Sequence, residues 1–129
     1  MELPKKEHVF DFDYKDETGH QYDGRFVCKC ALNIGDKHAV ELEKTRLQGN
    51  YANPTDRLQA IATVLANLRI RIIPKDTPTW WQQSAGGAEL EEDVLAALYD
   101  KVMEGDILWR QKLDEKAKAA QDPTPKPAV

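Results

Sequence analysis

The chain is poor in the residues and patterns that carry covalent, metal and nucleotide chemistry. It holds two cysteines, Cys28 and Cys30, and three histidines. Cysteines at i and i+2 of a strand point the same way along it and are badly placed for an unstrained disulfide. They read as free thiols of a reducing compartment. A strong zinc signature needs a second ligand pair of similar spacing. Cys28-x-Cys30 has none to go with His20 or His38, so core packing is the expected role of both thiols. A cysteine nucleophile beside either histidine would lack an orienting Asn or Asp and a glycine-rich oxyanion turn.

Other absences exclude further classes. Neither phosphate-cradling glycine loop occurs. Gly86-Gly87 stands alone before an acidic run, the wrong charge for an anion site. No apolar run approaches the roughly 18 residues that cross a bilayer, and Met1 to His8 lack the apolar stretch of a signal peptide. There is no basic excess: the net charge is −4 and the pI near 5.4, against the basic face that nucleic-acid binding uses. Asp11 and Asp13 share a strand face and read as solvated acids. The expectation is a protein with no catalytic residue, metal or cofactor, and with neither nucleic acid nor membrane as partner.

What is there suits a folded protein. The 129 residues are 41% hydrophobic and 31% charged, enough for one core in one domain. The predicted class is α+β: an N-terminal β-hairpin, a mainly helical remainder of three to four helices, and a disordered C-terminal tail. The domain is expected over 1–120, with the hairpin at 9–30 and helices over 36–120. The proline-rich end, 121–129, is expected to be disordered.

The hairpin follows from alternation. Phe10, Phe12 and Tyr14 share one face and Asp11 and Asp13 the other; then Tyr22, Phe26, Cys28 and Cys30 share a face. Gly19 suits the turn, and Gly24 suggests a bulge. A helix is predicted from about Asp36 to Gln48, stopped by Gly49. A second is predicted from an Asn53 cap with Pro54 at its first position. Its stripe is Leu58, Ile61, Leu65, Leu68 and Ile72, and it ends before Pro74. Residues 69–73 alternate and could instead extend to pair with the hairpin. Thr77-Pro78 predicts a short helical turn, and the last helix is predicted from about Glu89. Val94, Leu98, Val102, Trp109 and Leu113 form its inner stripe, with Gly105 on that stripe, before it turns polar from Lys112. Over 107–120 the change from apolar to charged predicts that the distal half protrudes into solvent, as a partner-binding arm or a frayed end.

Trp80 and Trp81 stand side by side, so they cannot both face one way on a regular element. One is expected to close the core. The other, with Trp109, is a candidate partner contact, because tryptophan is enriched among interface hot spots. The pattern leaves open which of the pair is buried.

Several motifs together resemble a family. They are Tyr22-Asp23-Gly24-Arg25-Phe26, the run Thr45 to Asn50, the corner Pro78-Thr79-Trp80-Trp81, and the acidic helix from Leu98 to Glu104. Over roughly residues 9–112 the chain resembles the small tail assembly chaperones of long-tailed bacteriophages. The resemblance implies a non-enzymatic morphogenesis protein of the host cytoplasm. It would coat the tape-measure protein, recruit tail-tube subunits and associate with itself; a longer frameshifted form is common in that family. The alternative is a structural virion protein, such as a head decoration, connector or tail component, that stays in the particle. A metal-dependent enzyme using Cys28 and Cys30, and an adaptor with no phage connection, are the readings from other classes.

Overall fold

The structure, a computed structural model, describes residues 6–49 and 55–121. It is α+β: an antiparallel two-stranded hairpin followed by four helices. The expected Asn53-Pro54 helix start and residues 122–129 of the tail expected over 121–129 lie outside the described residues. Gln121, the first residue of that expected tail, is instead the end of the last helix.

Strand β1 (Glu7–Lys15) and strand β2 (Gln21–Lys29) pair without interruption from Glu7↔Lys29 to Lys15↔Gln21. The turn is built on Asp16, whose carboxylate accepts from the backbone N–H groups of Thr18 and His20, each at 2.9 Å. Gly19 takes φ +90° there, where a side chain would be strained. The predicted bulge at Gly24 is absent, because that glycine keeps register opposite Phe12. It meets a third element instead: a Cβ at Gly24 would lie 2.1 Å from Pro78 Cγ.

Helix α1 (Ile34–Gln48) begins two residues before the predicted start. Asn33 and Asp36 form a capping box, the Asp36 N–H donating to Asn33 Oδ1 at 2.7 Å. Lys29 Nζ donates to the Asp36 carboxylate at 2.7 Å, fixing the end of β2 to the start of α1. That contact, first of all, holds the Asp36 carboxyl below its ordinary range. Helix α2 (Asp56–Arg71) is capped by Thr55, whose hydroxyl accepts from the Leu58 N–H at 3.1 Å. Helix and extended segment both occur where the sequence offered a choice. The helix ends at Arg71, Ile72 bridges to Cys28, and the Ile73 N–H donates to the Val27 carbonyl at 2.8 Å.

Helix α3 (Thr79–Gln82) has Pro78, not Thr77, at its cap position. Thr77 serves from outside, its carbonyl accepting from Gln82 Nε2 at 2.8 Å. Helix α4 (Glu92–Gln121) starts three residues later than predicted, because 83–90 form turns. Ser84 is buried in those turns and fully used: its hydroxyl donates to the Trp81 carbonyl and accepts from the Gly87 N–H.

The core lies between the hairpin's apolar face and the inner stripe of α4. Phe12, Phe26, Cys28, Leu68, Ile72, Trp81, Val94, Leu98 and Val102 form it. Phe26, Leu68, Val94, Leu98 and Val102 have no exposed surface. An isolated hairpin is marginal in water; here α4, α3 and the end of α2 supply the cover. Helix α1 packs on α2 and buries only Val40.

Candidate interaction surface

The tryptophans first. Trp81 is buried, 8% exposed, with its ring edge-on to Phe26. Trp80 is half-buried and covers the same sheet face. Its ring contacts Phe12, Tyr22 and Phe26 at centroid distances of 5.2–5.8 Å. Its indole N–H donates to the Asp23 carbonyl at 2.8 Å. Both neighbours therefore lean on the hairpin, Trp81 more deeply. α3 is one turn long, and both of its consecutive tryptophans reach Phe26 on the one sheet face.

Trp109 stands elsewhere, half-buried on the distal part of α4. The turning point of that helix is Gly105. A Cβ there would lie 2.7 Å from the His8 ring, so the glycine lets β1 approach the helix. Beside it, Asp106 is 6% exposed and binds two arginines. Arg71 Nη2 approaches it at 3.5 Å and Arg110 Nε at 3.1 Å. Arg71 is itself 6% exposed and donates to Asn67 Oδ1 at 3.0 Å; its Nη1 is buried without a partner. An uncompensated donor in a buried ion pair costs stability, which offsets part of what the two ion pairs contribute where the body ends.

Beyond Asp106 the helix leaves the body. From Ile107 to Ala119 every side chain is exposed except that of Trp109. Ile107 is 55% exposed, Leu108 42% and Leu113 49%. The stripe predicted to run inward through Leu113 thus continues in sequence after the body it would face has stopped. Leu108 and Leu113 lie five residues apart, about 140° around a helix, so the arm shows apolar groups on two sides. Four exposed bases (Arg110, Lys112, Lys116 and Lys118) and two acids (Asp114 and Glu115) accompany them.

A small apolar groove lies at the other end of α4. Ala60, Ile61 and Val64 of α2 and Glu92, Leu95 and Ala96 of α4 line a volume of about 130 Å³. A larger, polar cavity of about 270 Å³ lies at the base of the hairpin, lined by Lys6, Glu7, Lys29 and Asp36 among others. Lys29 and Asp36 satisfy each other there.

The cysteines are free and buried. Burial pushes the Cys28 thiol up to about 12 and raises that of Cys30. Thiols so raised stay protonated at neutral pH and make poor nucleophiles. Among the described residues no three His, Cys, Asp or Glu gather as a metal would require. Among them, too, no helix is long and apolar enough to cross a membrane.

No protein-family model, curated protein or solved structure matches the chain. The geometry therefore stands by itself. Among the described residues it offers two apolar surfaces at the ends of α4, the projecting arm and the groove against α2. The sequence signals of the arm were Gly105 and the turn to charge after Lys112; periodicity alone placed Leu113 inside.

Proposed function

We propose that this chain is a non-enzymatic phage morphogenesis protein, a tail assembly chaperone that binds the tape-measure protein and tail-tube subunits in the host cytoplasm. One observation carries the reading: an extended helical arm that keeps Ile107, Leu108 and Leu113 in solvent. Exposing such groups on a projecting helix has an energetic cost that a binding partner removes. Ile107 and Leu108 on one side of the arm, with charged neighbours, suit a contact with a long amphipathic helical client. The motif resemblance supplies the phage context.

The test is co-expression with the tape-measure protein, followed by capture through a tag on this chain. The expected result is a complex that Ile107→Asp with Leu108→Asp abolishes while the melting temperature holds. Absence of any complex with the wild-type chain overturns the reading. Mass spectrometry of purified particles addresses the alternative, a structural virion protein: stoichiometric presence in the finished particle favours that protein over a chaperone.

A further inference from the structure

We propose that the groove between α2 and α4 receives the α4 arm of a second copy of this chain, with Leu113 seated in the groove. The inference deepens the reading of a self-associating assembly factor and rests on it. Three observations converge. The groove is apolar, lined by Ala60, Ile61, Val64, Leu95 and Ala96, with Glu92 at its rim. Its volume of about 130 Å³ is on the order of a cavity that takes a benzene-sized group, so a leucine side chain fits. An exposed leucine with no core to enter stands on the arm.

Charge complementarity selects the occupant. Among the described residues the groove end exposes Asp56, Glu89, Glu91 and Glu92; Arg57 pairs with Glu92 at 2.7 Å, which leaves the charge of the other three acids. The arm exposes Arg110, which pairs with Asp106, and beyond it Lys112, Lys116 and Lys118 against Asp114 and Glu115. The molecule is thus acidic at the groove and basic at the arm, and each surface fits the other through an apolar centre and charged flanks. The contact cannot be made within one chain. Ala96 and Leu113 sit on one unbroken helix, 17 residues apart, about 25 Å at 1.5 Å per residue. The arm cannot fold back, so Leu113 can enter this groove only in another copy of the chain. Pairing through Leu113 leaves Ile107 and Leu108, on the other side of the arm, open to a client.

The experiment is sedimentation of the full chain over a concentration series, with two variants. Leu113→Glu disables the arm and Ala60→Glu disables the groove; both positions are exposed on helices, and circular dichroism checks that both variants fold. The wild type should associate. Each variant alone should weaken association by about tenfold or more. An equimolar mixture should regain association, because each variant supplies the surface the other lacks. A wild type that stays monomeric throughout overturns the proposal, as does a Leu113→Glu chain that associates normally. A mixture no better than its components overturns it too. A monomeric wild type that still captures the client through Ile107 and Leu108 would remove this pairing and leave the proposed function standing.

Discussion

Pro78 occupies the space where residue 24 would carry a side chain: a Cβ on Gly24 would sit 2.1 Å from Pro78 Cγ and 2.9 Å from its Cβ. Gly24 also holds φ +149°. The glycine is the seat for the corner that carries both adjacent tryptophans. Gly24→Ala should cost about 1–3 kcal/mol through overpacking, read as a lower melting temperature. Pro78→Ala in the same chain should return part of that loss, since contacting residues couple. Purely additive effects would count against the contact.

The two tryptophans should separate by degree, not by kind. Trp81→Ala empties a buried site and should cost about 3–5 kcal/mol. Trp80→Ala removes a half-buried ring and the bond to the Asp23 carbonyl, and should cost less while still lowering the melting temperature. Trp80→Phe should keep most of the ring packing and lose the hydrogen bond, falling between. A Trp80→Ala chain that melts like the wild type would move Trp80 from the hairpin's cover to a surface available for partners.

Acid should loosen the joint between α1 and α2. Glu43 binds Arg46 on its own helix and Arg69 of α2, the latter at 2.7 Å. Arg46 foremost, with Arg69, lowers its carboxyl from 4.5 to about 2. A carboxyl lowered on folding contributes stability above its unfolded value, and that stability is lost as pH falls through the folded one. The window therefore runs from about 4.5 down to about 2. With solvent screening at a surface pair, the loss should be about 1 kcal/mol. Denaturant titrations at a series of pH values check it; Glu43→Gln should flatten the dependence in that window.

Arg69 should matter more than its partner in the ion pair. Its guanidinium also donates to the carbonyls of Gly86 at 3.0 Å and Ala85 at 3.1 Å. Ala85 holds φ +53° and Gly86 φ +66°, so the side chain stabilises a turn with a strained non-glycine residue. Arg69→Lys loses the planar fork and should destabilise nearly as much as Arg69→Ala, about 1–3 kcal/mol. Faster amide exchange at 84–90 is the local readout. Full rescue by lysine would reduce Arg69 to a simple charge.

The hairpin was legible in the sequence because alternation is a local signal: Phe12 and Phe26 face inward as their spacing requires. The capping box at Asn33 and Asp36 was also there to be read, as an Asn followed three residues later by an acid. Gly24 misled because a bulge is local and the true cause, Pro78, lies 54 residues further on. Leu113 misled differently. Periodicity tells which side chains share a face, but not how far the opposite surface extends. The clamp of Arg69 on two carbonyls leaves no trace in side-chain pattern at all. The turn from apolar to charged over 107–120 did point to a protruding distal half; the regular stripe hid only that Leu113 stands on the protruding part.

The placement of the core's two halves bears on synthesis. Phe26 is made early, yet the α4 part of its cover, beginning at Val94, comes 68 residues later. At about 5–20 residues per second, the ribosome needs roughly 3–14 s to add that stretch. During this interval the nascent chain has an aromatic ribbon with at most the α2 and α3 part of its lid (Leu68, Ile72, Trp80 and Trp81), and a holdase that binds short aromatic strands would find its target there. The finished protein can hide that ribbon only once α4 has emerged, so any truncation before Val94 should be born as a client of the cell's chaperones.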